Sequence, residues 1–139
     1  MLTTTHALLG ASVGYAVKNP FSAFMAGVVL HFLADKIPHY WPDRKKYQII
    51  TMAIDSVCSL TVVIYLFLVD PFTNTEMAWG ALGGIAVDFL LVGIPYLYHT
   101  KIGQWHTQRQ PHRTAAIYLV PDFFASLLLV GLLVKLYLK

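Results

Sequence analysis

The sequence predicts an all-α fold: an integral membrane helical bundle of about five helices. Three observations lead there. Of 139 residues, 57% are hydrophobic and 12% are charged, well below the roughly 25% charged share of soluble domains. Five apolar stretches follow one another with short polar connections, and the last three are long enough to cross ~30 Å of hydrocarbon. Each of those three also carries one isolated carboxylate: Asp55, Asp88 and Asp122. A single helical membrane domain accounts for residues 1–139, with no room for a second soluble one.

The first segment runs from Thr3 to Val17 and the second from Phe21 to Ile37. Lys18-Asn19-Pro20 breaks them, with proline placed to start the next helix. Both are short for a full crossing, so a helical hairpin that thins or partly crosses the bilayer is expected. The third segment, Gln48 to Val69, has Asp55 as its only charge, and the fourth, Met77 to Tyr98, has only Asp88. Gly80, Ala81, Gly83, Gly84 and Ala86 give the fourth a face for close helix packing. The fifth, Thr114 to Leu138, is interrupted by Pro121-Asp122 and carries Lys135 near its end.

The connections set an orientation. Arg44, Lys45 and Lys46 follow the second segment; Lys101, Arg109 and Arg113 follow the fourth; Asp70 to Glu76 is acidic. The positive-inside rule puts both basic loops and the N-terminus in the cytoplasm, giving a multi-pass protein of a bacterial-type inner (plasma) membrane. The net charge of +3 and pI near 9.0 suit an anionic lipid surface; without a long basic stripe, no nucleic-acid partner is expected. Met1 to His6 lacks a basic stretch, so it does not read as a cleaved signal. Cys58, the lone cysteine, excludes an intrachain disulfide and reads as an inert thiol.

With this topology, His6, His31, Asp35, His39, Asp55 and Asp122 fall near the inner face, and Asp88 lies deeper. A weak internal match, Gly27-to-Leu33 on Gly84-to-Leu90, sets His31 opposite Asp88 and His6 opposite Asp55. It raises the expectation of two repeated helical hairpins plus a C-terminal helix, their ligands aimed at one centre.

The second segment closes on H-x3-D-x3-H: His31, Asp35 and His39. Residues four apart share a helix face, and Pro38 ends the helix so that His39 can fold back. Imidazole and carboxylate are ligands of zinc and related divalent metals. Each carboxylate costs about 2.5–3.5 kcal/mol at the bilayer centre. Four left unpaired would approach the whole stability of a small domain, and a divalent cation offsets that cost. The expected ligands are His6, His31, Asp35, His39 and Asp55, with zinc the leading metal. Asp88, which could also complete the ligand set, and Asp122 are the candidate catalytic bases. Arg109, His112 and Arg113 are the candidate grip on an anionic phosphate group. His99 and His106, in the same loop, read as headgroup-facing or solvated, with metal ligation by one of the loop histidines as the alternative. No glycine-rich phosphate loop, nucleophile elbow or Ser/His/Asp set stands out.

On Thr5-His6 followed by Gly10, the Gly27-to-His39 stretch ending in H-x3-D-x3-H, and the basic His106-to-Arg113 loop, the chain resembles the bacterial inner-membrane proteins identified as membrane-bound metal-dependent hydrolases. That family is itself similar to zinc phospholipases C and zinc single-strand nucleases, whose helices supply H-x3-D ligands. The resemblance implies that His31 and Asp35 bind metal. Together, the residues and the resemblance lead to a metal-dependent hydrolase of a phosphoester or phospholipid-like substrate at the cytoplasmic membrane face. The alternative is a non-enzymatic ion-binding membrane protein, either a small transporter or an assembly partner.

Overall fold

The computed structural model describes residues 2–69, 75–109, 112–113, 117 and 119–138. The chain is mostly helical. Five long helices carry the architecture: α1 (Thr3–Ala16), α2 (Pro20–Ala34), α3 (Lys45–Val69), α4 (Thr75–Gly93) and α7 (Leu119–Tyr137). Two short helices, α5 (Pro95–Tyr98) and α6 (Lys101–Arg109), lie between α4 and α7. A two-residue parallel ladder joins β1 (His39–Tyr40) to β2 (His112–Arg113), pairing His39 with His112 and Tyr40 with Arg113.

Each long helix falls on one apolar segment, and local chemistry explains where they begin and end. Asn19 caps α2 by accepting from the Ser22 backbone N–H at 3.0 Å, and Pro20 occupies the first turn, where its missing N–H costs nothing. The second helix stops at Ala34 rather than Ile37, with Asp35 as its C-cap residue. The fourth segment does not run through to Tyr98. It ends at Gly93, and Pro95 opens α5 instead, because proline lacks the N–H and clashes with the preceding turn. The stretch from Lys101 to Arg109, expected as loop, forms α6. The expected start of the fifth segment at Thr114, and the acidic turn at residues 70–74, lie outside the described residues.

α1 is the central helix and packs against α2, α3, α4 and α7. Its interface with α4 is an approach of two backbones. A Cβ on Gly80 would overlap the Gly10 carbonyl, one on Gly14 would overlap the Glu76 carbonyl, and one on Gly84 would overlap the His6 carbonyl. Gly10 and Gly14 on one helix, Gly80 and Gly84 on the other, are four apart and so lie on one face of each. This is the small-residue spacing by which membrane helices pack closely. Gly27 of α2 approaches the same turn of α4. Around this contact the core collects Ala7, Leu8 and Ala11 with Met77, Ala81 and Ile85, flanked by Val63 and Leu66 of α3 and Leu129 and Leu133 of α7.

The expected pair of repeated hairpins is not realised as an interface. A twofold relation would set α2 against α3 as α1 sits against α4, and among the described residues α2 and α3 form no such contact. Both ends of the proposed repeat instead lean on α4.

Among the described residues, one helix, Lys45–Leu68, is long and apolar enough to cross a membrane, and little of it is buried inside the protein. Its outward face carries Ile49, Ile54, Val57, Ile64 and Leu68, and α7 likewise exposes Phe123, Phe124, Leu127 and Leu128.

Candidate metal centre

The first turn of α1 determines much of the site. Helices begin with N–H groups that have no partner of their own, and Leu2, at the cap position, has no side chain to accept from them. Carboxylates from other helices do so. Asp55 of α3 accepts from the backbone N–H of Thr3 at 2.6 Å and of Thr4 at 3.0 Å, and from the Thr4 hydroxyl at 2.6 Å. Asp122 of α7 accepts from the Leu2 N–H at 3.3 Å. Asp88 of α4 accepts from the Thr3 hydroxyl at 3.0 Å. An anion at a helix N-terminus also meets the positive end of the helix dipole.

Two of the sequence candidates are placed at this turn, apart from the cluster one turn deeper. Asp55 is spent on capping α1 and belongs to no ligand group among the described residues. Asp122, offered as a base, also caps α1 and stands outside those groups. Isolated carboxylates in apolar segments therefore have two explanations here, and only part of the set calls for a cation. Asp55→Ala should cost about 1–2 kcal/mol of stability, the usual scale for a lost helix cap, while leaving the metal content of purified protein unchanged. Metal loss equal to that of an Asp35 variant would return Asp55 to the ligand set.

One turn deeper, three imidazoles and two carboxylates converge. His6 comes from α1, His31 from α2, Asp35 from the end of α2, Asp88 from α4 and His106 from α6. Asp35 is the hub, with Oδ1 3.0 Å from His6 Nε2, and Oδ2 3.3 Å from His31 Nε2 and 3.6 Å from His106 Nε2. Asp88 Oδ1 lies 3.7 Å from His31 Nε2 and 3.5 Å from His106 Nε2. The rings stack in a row, with centroids 4.2 Å apart for His6 and His31 and 5.2 Å for His31 and His106. His6, His31, Asp35 and His106 are all buried. Two triads can each offer ligand atoms within 4.8 Å of one another: His6, His31 and Asp88, and His31, Asp35 and His106.

The proton positions make this cluster unusual. His31 Nδ1 is 2.8 Å from the Gly84 carbonyl. A carbonyl only accepts, so Nδ1 carries a proton, and whenever the ring is neutral Nε2 is bare. That nitrogen is buried, has no hydrogen-bond partner, and faces carboxylate oxygens of Asp35 and Asp88. In the neutral ring acceptor faces acceptor, in a setting where an unpaired polar atom is costly, and either a second proton or a cation at Nε2 relieves it. His6 repeats the pattern: Nε2 donates to Asp35 Oδ1, leaving buried Nδ1 without a partner. A cation at His31 Nε2 would satisfy that nitrogen and the carboxylates facing it. The backbone carbonyl behind His31 is also the usual outer support of a metal-ligating histidine.

His39 takes a different position. Its Nδ1–H donates to the Ile37 carbonyl at 3.1 Å, and the residue is buried beside the cluster without entering either triad. Burial pushes its imidazole below the usual histidine range. His106 was read from sequence as headgroup-facing or solvated, yet it is 6% exposed and completes the cluster. A signal for it lies in the short helix itself: Trp105 packs edge-on to Phe32 at 5.7 Å, which seats the helix against α2 and turns His106 inward. The side chains of Arg109, His112 and Arg113 lie outside the described residues; the backbone places His112 and Arg113 beside His39 and Tyr40.

Two openings reach the cluster. Asp88 lines one with Thr3, His39, Tyr40, Trp41 and Ser56. Asp35 and His106 line the other with Phe32, Lys36 and Trp105. No protein-family model, curated protein or solved structure matches the chain.

Proposed function

We propose that this chain is a multi-pass membrane protein with a divalent-metal centre, and that it hydrolyses a phosphoester of an anionic, lipid-like substrate at the cytoplasmic membrane face. The observation that carries the reading is the buried, unpartnered His31 Nε2 set against two carboxylates in a cluster of three imidazoles and two carboxylates. His6, His31, Asp35, Asp88 and His106 would hold the ion, and its imidazole and carboxylate donors fit zinc. Zinc, when bound, supplies a Lewis acid and a water of lowered pKa. Asp88 faces both the cluster and an opening, so it is the carboxylate placed to take a proton from an incoming water. Thr3 holds its other oxygen in position. The basic residues Arg44, Lys45, Lys101, Arg109 and Arg113 flank that end of the bundle in sequence, which supports a cytoplasmic orientation and an anionic substrate. The exposed apolar faces of α3 and α7 support embedding in lipid, since soluble monomers rarely expose such surfaces.

A second reading has its own support. Catalytic zinc typically keeps three protein ligands and one open position, and five donors are present here. If all of them close on one ion, the centre is structural and the protein is a non-enzymatic ion-binding or assembly component. The deciding experiment incubates detergent-purified protein with bis-p-nitrophenyl phosphate, and separately with phosphatidylglycerol mixed micelles, with and without chelator. Chelator-sensitive turnover of either that is lost in His31→Ala supports the hydrolase. Metal-loaded protein that turns over neither supports the structural reading.

A further inference from the structure

α3 and α7 each pack on α1, and among the described residues they share no extensive interface with one another. Between them runs a groove lined by Ile54, Cys58, Leu119, Val120, Phe123 and Phe124, with Asp122 at its wall. One side of the groove is the membrane-length helix, so it opens sideways along the apolar outer surface. The lining is overwhelmingly apolar apart from a few groups near the start of α1, and most of those are spoken for. The Thr4 hydroxyl donates to Asp55, and the Ser126 hydroxyl pairs with that of Thr5 at 2.9 Å.

Asp122 is the exception. It is 1% exposed, its Oδ1 accepts from Leu2, and its Oδ2 has no hydrogen-bond partner. A buried carboxylate oxygen left unpaired costs free energy that one incoming donor recovers. An all-apolar chain would fill the groove and leave this oxygen as it is. A chain ending in a donor would satisfy both the apolar walls and the carboxylate.

We propose that the α3–α7 groove is a binding site for a long-chain amphiphile with a hydroxyl or ammonium donor at its polar end. The donor seats on Asp122 and the chain lies along Ile54, Cys58, Phe123 and Phe124. The site is separate from the metal centre, and its test reads binding rather than turnover.

Cys58 lines the groove, is exposed, and is the only cysteine in the chain, so its alkylation reports occupancy. Purified full-length protein in detergent is treated with N-ethylmaleimide in the presence of monoolein, oleylamine or methyl oleate. These carry the same chain length with a hydroxyl, an ammonium or no donor. Monoolein or oleylamine should slow alkylation at about tenfold lower concentration than methyl oleate, the scale of one hydrogen bond to a charged acceptor; the better of the two identifies the donor. In Asp122→Leu that advantage should vanish. Should Asp122→Leu fail to fold, Asp122→Asn, which keeps the shape and weakens the acceptor, should reduce the advantage. Equal potency of all three probes on the natural sequence, or protection by none, overturns the proposal. Metal content measured on the same samples keeps this result distinct from the fate of the metal centre.

Discussion

Asp35→Asn is expected to abolish the response of the protein's thermal stability to chelators. Asp35 lies close to all three imidazoles, at 3.0, 3.3 and 3.6 Å. A ligand that binds only the folded state stabilises it by about 4 kcal/mol at a thousandfold excess over its Kd. For a chain of this size that corresponds to roughly 10 °C in Tm. The natural sequence should therefore lose about that much on treatment with EDTA and recover it when zinc is restored. The Asn variant keeps the shape and removes the charge, so its Tm should start low and stay there whatever the zinc concentration. A variant that still loses stability on chelation would mean that Asp35 is not the hub of the site.

The second large effect is expected at Gly84, which acts on the site twice. Its Cα lies against the His6 carbonyl, so a methyl group there pushes α1 and α4 apart. Its own carbonyl fixes the His31 tautomer. Overpacking usually costs about 1–3 kcal/mol, and backbone against backbone leaves no flexible side chain to yield. Loss of an outer support typically lowers metal affinity about 10–100-fold. Gly84→Ala should show both losses. Gly80→Ala perturbs the same α1–α4 contact one turn away, against Gly10 and Gly14, and should show the stability loss with a smaller change in affinity. Calorimetric zinc titration beside thermal unfolding separates the two; equal affinity losses in both variants would mean that Gly84 acts through packing alone.

Much of the fold was legible because its signals are local. Apolar runs marked the five long helices, Asn19-Pro20 marked the start of α2, and the small residues of the fourth segment marked the face of α4 that meets α1. Charge topology also anticipated that His6, Asp35, Asp55 and Asp122 share one end of the bundle, and the structure gathers them there together with Asp88, which was expected deeper. What sequence did not reveal depends on which group a side chain faces across the bundle. Asp55 and Asp88 look alike in sequence, each a lone carboxylate in an apolar run. They differ because Asp55 meets the open N–H groups of α1, while Asp88 meets two imidazoles. His106 was hidden among the histidines of a basic loop, in a nine-residue helix of mostly polar composition whose apolar side is too short to stand out from the loop. His39 is buried after Pro38, where its Nδ1–H donates to the Ile37 carbonyl and it joins neither ligand triad.

The claim on which the rest depends is that the buried His/Asp cluster holds a metal ion. Elemental analysis of detergent-purified protein, natural sequence beside His31→Ala, Asp35→Asn and Asp55→Ala, tests it directly. The account predicts stoichiometric divalent metal in the natural sequence and in Asp55→Ala, with metal lost from the other two. Equal, sub-stoichiometric metal in all four proteins would contradict it.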